Sequence, residues 1–335
     1  MGNQTFRQLV EQHPEILADR HKLAFTRQDS AAESATRFRE EGVVMLRGVI
    51  PTDTLDECRR AFGRFVGTLG KPRRNFDDSA MAVDDGPSPN WDKGEEDSGS
   101  WHPPWVVRDM DQSPTAMVLS ELIKSWAWPV IERICDSTDI VVMFGLCLAR
   151  HRIDEDLLLG VHQDVTAVNP EVPLSIWIPL GEVAPKKHSG LGFIVPSPGH
   201  ALPADSSNDV GVDYLMSNLD KVWVPHYHAG DLTIHSRYSP HFTTGYGTRS
   251  ERYSLEIRLW AKEDHLAKYY DPSLRVSRRN GVPVIVETKC SLGIGAHAFL
   301  ANTAMLAMQP ASAPAARRRA PIGQTLMGAL RSVVR

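Results

Sequence analysis

Residues 230–260 read GDLTIHSRYSPHFTTGYGTRSERYSLEIRLW, two β-rich runs separated by turn residues. A Gly-Asp turn opens the β-rich run DLTIHSRY, and a Gly-rich turn precedes RYSLEIRLWA. Working back toward the N-terminus, five further runs have the same character: IVVMFGLCLAR, LLLGVHQD, LSIWIPL, GLGFIV and KVWVPHY. Each is short, rich in β-branched and aromatic residues, and bounded by turn residues. Seven such strands follow a largely helical N-terminal half. That order predicts an α+β chain with a β-barrel or jelly-roll core over about residues 140–262.

The N-terminal half supports this division. Residues 4–41 are polar and helical, with breaks near Pro14 and Asp29, and a strand is expected at Val43–Leu46. PTDTLDECRRAFGRFVGTLG then reads as a helix. Thr52 caps it, and Leu55, Cys58, Phe62 and Phe65 fall at helical spacing. Residues 71–105 are acidic and rich in Gly, Pro and Ser, yet hold Trp91, Trp101 and His102. A loop this long is expected to be functional, and we read it as a lid with Trp101 or His102 toward substrate, a disordered insertion being the alternative. SPTAMVLSELIKSWAWPVIERICD predicts one long helix, capped by Ser113 and bent at Pro129.

One domain is expected over 1–265, with an extension over 266–308, where NGVPVIVETKC pairs with a sheet edge. Residues 309–335 form a low-complexity basic tail. Leu326, Leu330 and Val333 fall near one helical face there, so a membrane-surface helix is the alternative to a free tail.

The chain has 335 residues and a net charge of −4, which gives no global signal for nucleic-acid binding. Four cysteines (Cys58, Cys135, Cys147, Cys290) lack CxxC spacing, so neither a zinc ribbon nor a disulfide framework is expected. There is no N-terminal apolar core of a signal peptide and no apolar run long enough to span a bilayer. A reducing, cytoplasmic home is the expectation.

The chemistry begins at GVHQD, residues 160–164. Residues two apart on a strand share a face, so His162 and Asp164 can both turn inward where a strand ends. Two His and one carboxylate form the facial triad that binds Fe(II) and leaves positions open. Six later histidines could complete it: His188, His200, His226, His228, His235 and His241. Spacing alone does not choose among them. In the last strand Arg252 and Ser254 share a face opposite Tyr253 and Leu255.

The ordered set GVHQD, SIWIPL, SGLGFIVPSPGH and GDLTIHSRYSPHFTTGYGTRSERYSLEIRLW resembles the phytanoyl-CoA dioxygenase-like branch of the Fe(II)/2-oxoglutarate oxygenases. EEGVVMLRGVIPTDTLDECRRAF is similar to that family's opening strand and helix. One departure is the turn Ser197-Pro198-Gly199-His200, where the family has a tighter Gly-Ser-His turn. The resemblance implies a double-stranded β-helix (jelly-roll) core with flanking N-terminal helices. It selects His241 as the distal ligand, ten residues after Asp231, and Arg252, eleven further on, for the far carboxylate of 2-oxoglutarate. Arg249 and Arg258 are the rivals for that role. Thr243 and Trp177 are further co-substrate positions by resemblance, although Trp177 reads more readily as a core side chain. Ser254, on the face of Arg252, offers a hydroxyl bond to the co-substrate, and Gln163 reads equally as a structural residue and as a co-substrate contact.

The implied cofactors are Fe(II), 2-oxoglutarate and O2. The implied reaction hydroxylates an unactivated C–H bond of a small molecule and releases succinate and CO2. Asp164 stands where related halogenases carry Gly or Ala, which favours hydroxylation. The mixed aromatic and charged make-up of the 71–105 loop suits a polar or amphipathic substrate. Two other readings stay open on the residues alone. One is a cupin-like metal enzyme that uses no 2-oxoglutarate and has His235 available. The other is a metal-binding barrel without turnover.

Overall fold

The computed structural model describes residues 4–19, 21–68, 99–101, 114–143, 147–167, 174–260 and 273–289. In chain order the elements are α1 (Phe6–Gln12), β1 (Ala24–Phe25), α2 (Ala31–Glu41), β2 (Val43–Leu46), α3 (Thr52–Thr68), β3 (Gly99–Trp101), α4 (Pro114–Lys124), α5 (Trp128–Cys135), β4 (Ile140–Met143) and β5 (Leu148–Ile153). After them come α6 (Asp164–Ala167), β6 (Leu174–Pro179), β7 (Gly190–Ile194), α7 (Val212–Met216), β8 (Val222–Trp223), β9 (Leu232–Ser236), β10 (His241–Thr244), β11 (Glu251–Trp260), β12 (Ser273–Arg279) and β13 (Val282–Lys289).

The described strands form two sheets. The larger runs β1-β2-β9-β6-β11-β4-β12-β13, with β5 also paired to β11 and β3 to β5. The smaller runs β10-β7-β8, and His162 extends it by an antiparallel bridge to His241.

Strand parity explains how the sheets pack. From β2, β6, β9 and β11, the side chains Val44, Leu46, Ile176, Ile178, Leu232, Ile234, Leu255, Ile257 and Leu259 share a buried cluster with Phe38 of α2, Leu55 of α3, Leu122 of α4 and Trp128 of α5. The intervening residues Val43, Met45 and Trp177 turn the other way and meet Phe193, Trp223 and Tyr227. The outer face of the small sheet buries Val222 and Phe242 against Phe6 and Leu9 of α1. The helices thus lie outside the sheets, and the space between the sheets is left to polar side chains along one end.

Local departures from the expectations have physical causes. The single helix expected over 113–136 is two, α4 and α5. Ser125 breaks it: its hydroxyl donates to the Leu122 carbonyl and accepts from the Ala127 amide. Pro129 sits in the first turn of α5, where no intrahelical amide is required. The run LLLGVHQD forms bridges only at Leu158 and His162, and Asp164 already belongs to α6. The strand β10 lies in SPHFTTGY, where no strand was expected. NGVPVIVETKC supplies β13, which pairs with β12, and β12 joins the large sheet through β4. Apart from 99–101, the loop at 71–105 lies outside the described residues, as do Ser113 and the tail at 309–335.

Candidate metal centre

The backbone brings His162 and His241 together first. Each amide donates to the other's carbonyl at 2.9 Å, and the two imidazole rings stand 4.2 Å apart. Immediately after His162 the chain turns into α6, where the Thr166 amide donates to the Gln163 carbonyl at 3.1 Å. That turn swings Asp164 inward. Nitrogen atoms of His162 and His241 and an oxygen of Asp164 all lie within 4.8 Å of one another. Among the six candidate histidines, His241 is therefore the one grouped with the pair. Asp164 and His241 are buried, while His162 keeps a partly exposed edge.

The candidate ligand set is held from behind. The His241 Nδ1 lies 3.0 Å from the Ser239 carbonyl, which leaves Nε2 to point into the site. Ser175 donates its hydroxyl to Asp164 Oδ2. Arg258 Nη1 stands 3.5 Å from the same oxygen and also pairs with Glu256, which Arg150 approaches at 3.5 Å. His235 Nε2 lies 3.5 Å from Asp164 Oδ2. Cross-strand register places these groups side by side, with His235 of β9 opposite Ser175 of β6, and Ser175 opposite Arg258 of β11.

The electrostatics suit a cation. Burial alone would push the Asp164 carboxyl up, but Arg258, His235 and His241 hold it well below the usual carboxylate range. Burial pushes the His162 imidazole below its ordinary value. It pushes His241 further down, aided by the neighbouring His162 and His235. Two neutral imidazoles and one ionised carboxylate are the protonation states a divalent metal requires.

The co-substrate candidates fall on the same inner surface. Arg252 and Ser254 share the β11 face that carries Glu256 and Arg258. The Arg252 guanidinium lies over the Trp177 ring at 5.1 Å, and Trp177 itself packs in the core. The Ser254 hydroxyl is buried with no hydrogen-bond partner among the described residues, which is costly unless a ligand supplies one. Thr243 follows His241 by two on β10 and shares its face, opposite Leu191. The Gln163 amide is engaged elsewhere: it donates to the carbonyls of His200 and Tyr238, and accepts from the Leu202 amide. Trp101 is placed only by its backbone, opposite Ala149 in β5, and His102 lies outside the described residues.

Sequence reasoning missed Ser175, Glu256 and His235 as the support of Asp164, and it treated Arg258 only as a rival to Arg252. The available signal was parity, since Arg258 stands an even number of residues from Arg252 on one strand.

No family model matches this chain, and no curated protein matches it. Solved structures do. The non-heme alpha ketoglutarate dependent carbocyclase SnoK from nogalamycin biosynthesis is 15% identical, with 79% of this chain and 97% of that chain covered and a TM-score of 0.49. The epimerase SnoN, in complex with Fe3+, alpha ketoglutarate and nogalamycin RO, is 14% identical over 75% of this chain and 88% of that one, with a TM-score of 0.48. EvdO2 from Micromonospora carbonacea var. aurantiaca, complexed with 2-oxoglutarate, is 16% identical over 70% and 92%, with a TM-score of 0.46. Likenesses this distant leave the assignment to the residues themselves.

Proposed function

We propose that this chain is an Fe(II)- and 2-oxoglutarate-dependent oxygenase of the phytanoyl-CoA dioxygenase-like branch, built on a double-stranded β-helix. The observation that carries the reading is the cluster of His162, Asp164 and His241, whose donor atoms lie within 4.8 Å of one another, with burial holding both imidazoles below their ordinary values and Arg258 and the histidines holding the carboxyl low. That donor set is the facial triad of non-heme iron oxygenases. The orphaned Ser254 hydroxyl and the inward Arg252 on the adjoining strand fit a dicarboxylate.

The chain's own residues then have separate tasks. His162, Asp164 and His241 would hold the iron, which with 2-oxoglutarate and O2 supplies the oxidant for a C–H bond. Arg252 and Ser254 anchor the far carboxylate, and Trp177 keeps the guanidinium aimed. Arg258 is committed to Asp164 and Glu256, so it positions a ligand and leaves the dicarboxylate to Arg252. The partly exposed edge of His162 marks where a small polar or amphipathic substrate would approach.

Succinate release tests the proposal. Protein reconstituted anaerobically with Fe(II) and exposed to 2-oxoglutarate and O2 should form succinate and CO2. An iron-loaded protein that neither binds nor consumes 2-oxoglutarate would sink it. His235, buried beside Asp164 with no hydrogen-bond partner for Nδ1 among the described residues, favours the rival metal enzyme without 2-oxoglutarate. The same assay separates the two.

A further inference from the structure

A second group of metal-capable side chains lies beyond the far end of β6, away from Asp164. Val183 and Tyr227 pair through two backbone hydrogen bonds of 2.9 and 3.1 Å. Both their side chains are buried. Their neighbours must therefore face outward: Glu182 on one segment, His226 and His228 on the other. His226 Nε2 stands 3.0 Å from Glu182 Oε1, and the rings of His226 and His228 are 4.6 Å apart. One ligand atom from each of the three residues lies within 4.8 Å of the other two.

We propose that Glu182, His226 and His228 form a second binding site for a divalent transition metal of the zinc class, with solvent completing its coordination. Two imidazoles and a carboxylate suit such borderline metals. At bond lengths near 2.0–2.2 Å, tetrahedral donors stand about 3.3 Å apart. Closing the present spacing to that value takes side-chain rotation alone, since the three side chains project from the surface. The backbone beneath them is already fixed. Asp231 accepts from the His228 amide at 2.8 Å and from Arg47 at 2.5 Å, and Arg47 also donates to the His226 carbonyl at 2.7 Å.

A plain surface ion pair between Glu182 and His226 is the competing explanation. It accounts for a carboxyl held below its ordinary range by the His226 hydrogen bond. It does not use His228, whose ring is placed on the same side. Lys187 also acts on Glu182 and opposes a cation there, so the site should be weaker than the buried one. A bound ion would tie the segment after β6 to the segment before β9.

The test is metal stoichiometry on the full chain. Zinc bound at equilibrium dialysis is counted for the parent protein and for His226→Ala/His228→Ala. The variant should bind one equivalent fewer, with no loss of iron uptake at the buried centre. Equal zinc counts for parent and variant overturn the proposal. Since the substituted residues project into solvent, misfolding is checked simply by comparing urea midpoints without metal. His162→Ala/His241→Ala gives a second reading: it should keep one zinc, and a count of zero would also overturn the proposal.

Discussion

Arg258→Met removes the guanidinium that stands 3.5 Å from Asp164 Oδ2 and pairs with Glu256. All three residues are buried, with Arg258 only 1% exposed. At an effective dielectric near 20, one such pair is worth about 5 kcal/mol, and breaking a buried pair costs roughly 3–5 kcal/mol. Asp164 keeps the Ser175 hydroxyl and Glu256 keeps Arg150, so the lower end applies. We expect Arg258→Met to destabilise the metal-free protein by about 3 kcal/mol at pH 7. Adding Glu256→Gln removes one stranded charge and should recover part of that loss. The sign with pH follows from Asp164. In the parent its carboxyl is held below the usual range, so the stabilisation is present above about pH 3.9 and is lost as pH falls through the folded value. Without Arg258, burial dominates and the carboxyl moves up, so the variant's deficit should narrow as pH falls from 7 to 5. Urea unfolding of the three proteins across that range measures this. A cost below about 1 kcal/mol, or a double variant no more stable than the single, would refute the buried-pair reasoning.

His241→Ala should abolish 2-oxoglutarate-dependent succinate release, whereas His235→Ala should retain iron and some turnover; the opposite outcome would move the ligand to His235. Arg252→Ala should raise the 2-oxoglutarate requirement at least tenfold while iron content is unchanged, because a buried carboxylate loses its forked partner. The imidazoles of His162 and His241 are held low by burial, so the metal-free protein should lose stability as pH falls below about 6.5, and His241→Ala should flatten that slope in urea titrations. Gly230→Ala should cost about 2–4 kcal/mol in the same assay, since a Cβ there would meet the Ile50 carbonyl oxygen at 2.5 Å with φ at +94°.

Much of this was legible in the chain. Short β-rich runs bounded by turn residues mark β6, β9 and β11, and parity on β11 puts Arg252 and Ser254 on one face. The strand β10 was not legible. His241–Thr244 is short, polar and β-paired chiefly to β7, so its pairing is set by tertiary contacts that leave no local pattern. The pairing of His162 with His241 was equally hidden, since it joins residues far apart in sequence through one bridge. The spacing of His162 and Asp164 suggests a strand end carrying both candidate ligands, but Asp164 reaches the site as the first residue of a helical turn. The support of Asp164 comes from three separate strands, β6, β9 and β11, and only the register between them reveals it.

The two faces of β11 carry a consequence for how the chain finds its fold. Leu255, Ile257 and Leu259 alternate with Ser254, Glu256 and Arg258, and both sets are buried. A slip of one residue against β6 would drive two charges and a hydroxyl into the helix-facing layer and strand three large apolar side chains among polar ones. Burying even one unpaired charge costs several kcal/mol, so that mispairing is rejected steeply. The charged groups beside Asp164 therefore act as a key for strand alignment. Replacing them wholesale with apolar residues would erase the distinction between correct and shifted pairing, and would leave β11 free to assemble in more than one alignment.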